Sequence, residues 1–285
     1  MQLALGTVQF GLAYGIAGSG RQVHADEARR ILQSAWSAGV RILDTAAAYG
    51  DIEPRLASLC GKLDFQLISK VPAIPDALMP EAAAAWALSR AEASQRHLGQ
   101  RLRGLMCHRA EDLMGERGAA VHAALARWAA ADSVTLGASC YDPATLRDLR
   151  CQHPIGLAQL PGNALDQRLN LVYGPQDLRP DLHLRSAFLQ GLLLMPEAEA
   201  ARRLPRATSA LRSWHAWCAG AGLTPLVGAL SVVKSLTSAS TVVVGVETLT
   251  QFEQIARAWS QARATPAAEL AQADPHIIDP RTWTT

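Results

Sequence analysis

The sequence predicts an α/β protein that folds as a single (β/α)8 TIM barrel, on three observations. Eight short apolar runs occur along the chain, stretches of helical length separate them, and the glycine motif of an open dinucleotide-binding sheet is missing. A chain of 285 residues with 49% hydrophobic residues can fill the core of one such barrel. We therefore expect one domain spanning residues 1–285.

The strand-like runs are short and rich in Val, Leu and Ile, which is typical of parallel strands that are buried on both faces. Their alternation with longer amphipathic stretches indicates βαβ units and a parallel sheet. The eight runs are Leu3–Gly6, Val40–Asp44, Phe65–Lys70, Gly104–His108, Val134–Ala138, Ile155–Leu160, Leu182–Phe188 and Val242–Gly245.

Several of the intervening stretches carry helix start and stop signals. Asp142 and Thr224 each precede a proline, as an N-cap precedes proline at the first helical position, and Gly39 stands where a C-cap glycine belongs. The segment between the sixth and seventh runs is expected to be a loop, and the tail after Arg263 to pack loosely. The predicted helices are His24–Ala38, Ile52–Cys60, Glu81–Leu98, Gly118–Ala131, Pro143–Arg150, Glu197–Ala219, Pro225–Leu236 and Leu249–Arg263.

The glycine pattern decides between a closed barrel and an open doubly wound sheet. An open sheet that binds a dinucleotide would carry G-x-G-x-x-G directly after its first strand. The glycines at positions 11, 15, 18 and 20 miss that spacing, and no G-x-x-x-x-G-K motif occurs. The barrel is therefore favoured.

Composition argues against several classes of function. The formal net charge is +2, and the arginines are scattered rather than clustered, so we expect no nucleic-acid or membrane-surface partner. No basic region precedes Arg21, and no apolar run reaches the roughly 18 residues that span a membrane. The five cysteines form no C-x-x-C pair, so neither disulfides nor a metal site is expected. We expect a soluble, cytoplasmic protein.

Polar residues end three consecutive strand-like runs, where a barrel places its chemistry. Asp44 ends the second run with Tyr49 just beyond it, Lys70 ends the third, and His108 ends the fourth. A lone aspartate or histidine here is more often structural, but a lysine that ends an apolar strand is costly unless it is paired. Together the four predict a catalytic group on one rim.

The four residues suit proton transfer to a carbonyl oxygen. Asp44 can pair with Lys70, whose ammonium is expected to pull the pKa of Tyr49 down from about 10 toward neutrality. A phenol tuned in this way can protonate a carbonyl oxygen while a hydride reaches its carbon, and His108 can orient the carbonyl.

The motifs around these residues resemble the signature of the aldo-keto reductase family. DTAAAYG at residues 44–50, Lys70 in SKV and His108 in MCHRAEDL match the family's Asp, Tyr, Lys and His tetrad. LALGTVQFG, LGASCY, AQLPGNALDQR, RSAFLQGLL and VVVGVETLTQFEQ are similar to its first, fifth, sixth, seventh and eighth strand regions. The resemblance implies an NAD(P)H-dependent oxidoreductase that reduces aldehydes or ketones, with Tyr49 as the general acid.

The resemblance also implies a set of residues that bind the cofactor. Cys140 departs from the family, which usually has Asn there, and Arg185 replaces an aromatic ring that many members place against the nicotinamide. The implied cofactor-binding residues are Gly6, Thr7, Asp44, Ser139, Gln159, Arg185, Ser186, Phe188, Leu189, Gly191, Gly245 and Gln251.

Cofactor preference depends on the loop after the eighth run. Family members that prefer NADPH commonly supply Lys and Arg to the 2′-phosphate, whereas this chain has Glu247 and Gln251 there. An acid near the ribose favours a free 2′-hydroxyl. Because the family favours NADP(H) and Arg257 could contribute, we expect NADP(H) narrowly over NAD(H).

Two other functions remain open at this stage. The chain could be a nicotinamide-binding regulatory subunit with little turnover, or a barrel lyase or isomerase that uses Lys70 as a Schiff base. For the reductase, a small carbonyl substrate is expected, and Tyr14, Arg109, Glu111 and Asp112 are candidates to face it. A monomer or weak homo-oligomer is expected.

Overall fold

The computed structural model describes residues 1–16, 18, 20–172, 180–236 and 238–283. Eight parallel strands form one closed barrel, in which each strand pairs with the next and the eighth pairs with the first. The predicted (β/α)8 fold is confirmed. The strands are β1 (Gln2–Gly6), β2 (Ile42–Asp44), β3 (Gln66–Val71), β4 (Leu102–Cys107), β5 (Thr135–Ser139), β6 (Leu157–Pro161), β7 (Asp181–Arg185) and β8 (Thr241–Gly245).

The helices lie between the strands in chain order. In the described part of the chain, no single helix has both the length and the apolar content to cross a membrane. The segments Pro205–Gly220 and Pro225–Ser235, which are bent relative to each other, reach that length and apolar content only when they are taken together. The helices are α1 (Val8–Gly11), α2 (Ala25–Ser37), α3 (Ile52–Cys60), α4 (Pro80–Leu98), α5 (Gly115–Asp132), α6 (Pro143–Gln152), α7 (Leu169–Val172), α8 (Glu197–Arg203), α9 (Thr208–Gly220), α10 (Pro225–Ser235), α11 (Leu249–Gln261) and α12 (Pro275–Ile278).

The cap residues that the sequence indicates act as caps. An Asp142 carboxylate oxygen accepts a hydrogen bond from the Thr145 backbone N–H at 2.8 Å, which satisfies a donor in the first turn of α6. Thr224 caps α10 in the same way through the backbone N–H of Val227. Gly39, just beyond α2, has a φ of 88°, a left-handed conformation that a glycine adopts at little cost.

Two layers of inward-facing side chains fill the barrel. The lower layer is apolar and consists of Ala4, Ile42, Ile68, Met106, Leu157 and Val243. Side chains two residues apart on a strand face the same side. The residues two positions further along these six strands, which form the upper layer, are therefore Gly6, Asp44, Lys70, His108, Gln159 and Gly245.

Several element boundaries differ from the prediction, and two of the differences have a clear local cause. A single helix over Glu197–Ala219 is wrong: α8 ends at Arg203, and Leu204 takes a non-helical φ of −137° before Pro205. A residue before proline is sterically disfavoured in the helical conformation, which explains the break. The seventh strand ends at Arg185 rather than Phe188, because Ser186 has a φ of 60° that extended backbone cannot hold.

The segment between β6 and β7 contains α7. Residues 173–179 of this segment lie outside the described residues. The prediction of a loose tail after Arg263 is wrong. Leu270, Ile277 and Ile278 are buried in a second hydrophobic cluster beside the barrel, together with Trp214 of α9. Apolar side chains that are far apart in the sequence thus form this cluster.

Because Ile278 is 1% exposed in the second cluster, Ile278→Ala is expected to lower the free energy of unfolding by about 2–5 kcal/mol. Urea denaturation followed by circular dichroism measures this change. Met79→Ala, at a side chain that is 73% exposed, is the control and is expected to change it by less than about 0.5 kcal/mol. Equal small effects of both variants would contradict the packing of the tail.

Candidate active site

A cavity of about 470 Å³ opens at the carboxyl ends of the strands. It runs from Tyr49 past β7 to α11. The implied site residues that line it are Gly6, Thr7, Asp44, Tyr49, Gln159, Arg185, Ser186, Phe188, Gly191, Gly245 and Gln251. A second cavity of about 510 Å³, near the amino ends of β3 and β4, contains none of the implied residues. The chemistry predicted from the sequence therefore belongs to the first cavity.

A buried ion pair lies at the base of this cavity. Lys70 Nζ donates to Asp44 Oδ1 at 2.6 Å and to the Thr45 carbonyl oxygen at 2.9 Å. Gln159 Nε2 donates to the other Asp44 oxygen at 2.8 Å. The Lys70 side chain is only 1% exposed, so these contacts replace the water that it loses.

Lys70 stays an ammonium despite its burial. Burial lowers the pKa of Lys70, but the charge of Asp44, with the smaller effect of Tyr49, raises it by more, so its net pKa is above the usual value. A protonated amine is a poor nucleophile. The Schiff-base alternative therefore loses its chemical basis.

Tyr49 lies beside this ion pair. Lys70 Nζ is 5.4 Å from the centroid of the Tyr49 ring, and the His108 ring contacts it edge-on at 5.9 Å between centroids. Burial raises the pKa of Tyr49 and outweighs the lowering by the Lys70 charge. The expectation that this pKa falls toward neutrality is wrong, because the loss of water around the phenol has the larger effect. Tyr49 is consequently protonated at neutral pH.

His108 completes the group as an uncharged imidazole. Burial lowers the pKa of His108 to about 4, and the nearby Lys70 charge acts in the same direction. A neutral imidazole can both donate and accept a hydrogen bond. Neither Lys70 nor His108 is among the residues that line the cavity. Lys70 is fully buried behind Tyr49, whereas His108 is half-buried at its side.

Two residues that position Tyr49 and Lys70 were not identified from the sequence. A Cβ atom at Gly11 would lie 1.9 Å from the Tyr49 carbonyl oxygen, so only glycine allows α1 to pack against this loop. The buried Glu53 of α3 accepts hydrogen bonds from Ser69, the neighbour of Lys70, and from Ser94 at 3.0 Å. In the sequence, Glu53 could have been recognised as an acid that lies within the apolar face of a predicted helix.

The loop after β7 has an unusual backbone. Ser186, Leu189, Gln190 and Gly191 all have positive φ, at 60°, 48°, 54° and 91°. Such residues are rare outside turns, cluster at functional sites and can direct backbone N–H groups into one anion-binding concavity. The Leu189 side chain is buried in the second cluster and its backbone N–H donates to the Ser186 carbonyl oxygen at 2.9 Å, so its contact with a cofactor stays a prediction.

At the far end of the cavity, two polar side chains of the wall are uncharged and one is acidic. Glu247, Gln251 and Gln254 line it, and Gln251 Oε1 accepts a hydrogen bond from the Glu247 backbone N–H at 2.7 Å. The buried Gln9 Oε1 has no hydrogen-bond partner among the described residues. An unpartnered acceptor in the wall of a cleft fits a ligand that supplies a donor, so the residues present fit a bound dinucleotide. Gln9 and Gln254 were not identified from the sequence.

The remaining candidates lie at the rim or behind it. Ser139 is buried and does not line the cavity, so its contact with a nicotinamide carboxamide stays a prediction. Arg109 pairs with the buried Asp112, which also accepts the Ile74 backbone N–H, and neither lines the cavity. Of the residues suggested to face a substrate, only Tyr14 lines it.

Residues 2–130 match the family model of the aldo/keto reductase family, a range that includes all four tetrad residues. Solved structures share the fold across the chain. An aldo-keto reductase from Bacillus halodurans in its holo form is 18% identical, with a TM-score of 0.68 over 99% of this chain and 95% of that chain. The glycerol dehydrogenase of Gluconobacter oxydans is 15% identical, with a TM-score of 0.65 over 93% of each chain.

No curated protein matches the chain in sequence. The resemblance to the aldo-keto reductase family is nevertheless confirmed, by the family model for residues 2–130 and by fold for the barrel as a whole.

In the unliganded protein, the Tyr49 phenol is expected to ionise above its usual pH of about 10, because burial raises its pKa. Ultraviolet absorbance titration of the protein against Tyr49→Phe isolates this group. Lys70→Met removes the charge that lowers this pKa and should raise it further. Circular dichroism at each pH controls for unfolding, and ionisation of Tyr49 near neutrality would contradict the assignment.

Proposed function

We propose that this chain is a nicotinamide-dependent oxidoreductase that reduces aldehydes or ketones to alcohols, with Tyr49 as the general acid. The observation that supports this function is a protonated phenol beside a buried ammonium that a carboxylate holds in place. The match of residues 2–130 to the aldo/keto reductase family supports the same reaction class.

The bound cofactor would supply hydride to the carbonyl carbon. Tyr49 would donate its proton to the carbonyl oxygen, which leaves a phenolate next to Lys70. The ammonium stabilises that phenolate, and Asp44 keeps the ammonium charged and in position. The neutral His108 imidazole would hydrogen-bond the carbonyl oxygen and orient it.

The cofactor would lie along the cavity in an extended form. We place its nicotinamide end near Gly6, Thr7, Ser139, Gln159 and Arg185. The loop from Ser186 to Gly191, with its positive-φ residues, would hold the pyrophosphate through backbone N–H groups. Gly245 and Gln251 would contact the adenosine end. Gly245 also leaves room for the Gln9 side chain, because a Cβ there would lie 2.6 Å from Gln9 Nε2.

The lining of the adenosine end argues against the narrow expectation of NADP(H). Among the described residues that line the cavity, Arg185 is the one with a basic side chain, and it belongs to the opposite end. Arg257 pairs with Glu253 at 3.7 Å and is 75% exposed. A 2′-phosphate at this end of the cavity would therefore lie near Glu247, and the described lining residues there offer it no basic side chain. We propose that NAD(H) is preferred.

A regulatory subunit that binds a nicotinamide cofactor with little turnover is the alternative. It would need the same cavity but no proton donor. Lys70 does not line the cavity, so its burial beside Tyr49 is not needed for cofactor binding alone, which favours the enzyme.

Tyr49→Phe is expected to lower the rate of carbonyl reduction by roughly 10²–10⁴-fold, because it removes the proton donor and leaves the ring in place. Consumption of NADH and NADPH with a panel of small aldehydes and ketones measures the rate. Cofactor affinity, followed by fluorescence quenching, is the control and should persist. Parent-level reduction by the variant would refute the role of Tyr49, and a parent protein without turnover would favour the regulatory subunit.

Parallel titration of both cofactors is expected to show tighter binding of NADH than of NADPH. Glu247→Arg should tighten NADPH binding at least tenfold, since a hydrogen bond to a charged group is worth about 1.5–3 kcal/mol. Glu269→Arg, an exposed site that does not line the cavity, is the matched control. Tighter NADPH binding by the parent, with no response to Glu247→Arg, would restore the expectation drawn from the family.

A further inference from the structure

Near Tyr49 the charges of the cavity wall do not balance, and the acidic Glu247 follows β8 at the other end of the cavity. Asp44 and Lys70 neutralise each other, and His108 is uncharged at neutral pH. Arg185 adds a positive charge, and no carboxylate in the described part of the chain lies within ion-pair distance of it. The cavity beside Tyr49 therefore carries one cation that forms no ion pair with the described residues.

The Arg185 guanidinium is held loosely. It lies at the end of β7, is half-buried, and rests 4.2 Å from the centroid of the Tyr141 ring. It donates to the Ser186 hydroxyl at 3.4 Å and to the Cys140 carbonyl oxygen at 3.3 Å, both longer than usual for hydrogen bonds. These contacts aim the guanidinium without saturating its five N–H donors.

A second arginine on the same ring provides an internal comparison. Arg281 lies 3.3 Å from the Tyr141 centroid and pairs with Asp279 at 2.6 Å. Two guanidinium groups thus contact one tyrosine. Among the described residues, only Arg281 has a carboxylate within ion-pair distance, while Arg185 acts on the same Asp279 at longer range. A half-buried cation that no carboxylate pairs is costly. The cost points to an anion that arrives with a ligand.

The direction of the side chain indicates which ligand supplies this anion. The guanidinium contacts Tyr141 and Cys140, which follow β5, whereas the adenosine end of the cavity lies at β8 and α11. It therefore lies near the nicotinamide end of the proposed cofactor path, on the side of the cavity next to β5. Its charge also lowers the pKa of Tyr49, so it acts on the space where the carbonyl group would lie.

We propose that Arg185 binds a carboxylate of the substrate, so that the carbonyl compounds this protein reduces are oxo acids. This inference rests on the proposed reductase function. The planar guanidinium matches a carboxylate through two parallel hydrogen bonds, which fixes the distance between the acid group and the reacting carbonyl. Arg185 is thus a residue that determines specificity.

A pair of probes with the same shape tests this inference. The substrates are 4-carboxybenzaldehyde and 4-formylbenzamide, which differ in charge at the group opposite the aldehyde. The parent should prefer the carboxylate in kcat/KM, and Arg185→Gln should reduce the ratio of the two kcat/KM values at least tenfold. Taking the ratio cancels any effect of the variant on both substrates. Arg281→Gln, at a cation already paired with Asp279, should leave the ratio within about twofold.

A binding measurement separates failure of the inference from failure of the proposed function. Calorimetry would compare 4-(hydroxymethyl)benzoate with 4-(hydroxymethyl)benzamide on the parent and on Arg185→Gln, and fluorescence quenching would give cofactor affinity. Loss of benzoate binding in the variant supports the anion site even if neither aldehyde is reduced. If both aldehydes are reduced with an unchanged ratio, or if the variant loses cofactor affinity instead, the inference is overturned while the reductase function stands.

Discussion

The rest of the candidate site depends on one buried ion pair, between Asp44 and Lys70. An ammonium that is 1% exposed is stable only if its donors are satisfied, and Asp44, itself held by Gln159, satisfies one of them at 2.6 Å. Because Asp44 keeps Lys70 protonated, a fixed positive charge lies beside the Tyr49 phenol. That charge makes Lys70 a poor nucleophile and suits it to stabilise a phenolate, so the pair favours proton transfer over covalent catalysis.

The barrel determines where this pair lies. An apolar layer of inward side chains, from Ala4 to Val243, closes the interior below it. The next inward position on each of these strands carries a glycine or a polar residue. The barrel interior therefore changes from apolar to polar between one layer and the next. Tyr49 reaches the same rim from a loop that packs against Gly11, and Glu53 connects the following helix to the residue before Lys70. The phenol and the ammonium are thus positioned by separate elements, each anchored in the core.

Where sequence reasoning failed, the reasons are physical. The Lys70 charge does act on Tyr49 in the expected direction, but the burial of the phenol has a larger and opposite effect on its pKa. The tail after Arg263 is rich in Ala and Pro, yet four of its side chains, Ala267, Leu270, Ile277 and Ile278, complete an apolar cluster with Trp214. The setting of Arg185 was also not visible, because its lack of an ion pair within the described part of the chain depends on which side chains the fold brings near it.

The sequence by itself determined the fold, the N-caps of α6 and α10, and the group formed by Asp44, Tyr49, Lys70 and His108. These follow from local patterns, since strand periodicity and capping act over a few residues and parallel strands bring their carboxyl ends to one rim. Only the tertiary structure decided the direction of the Tyr49 pKa, the packing of the tail and the setting of Arg185. Desolvation and charge balance depend on neighbours that are distant in the sequence, and no local pattern records them.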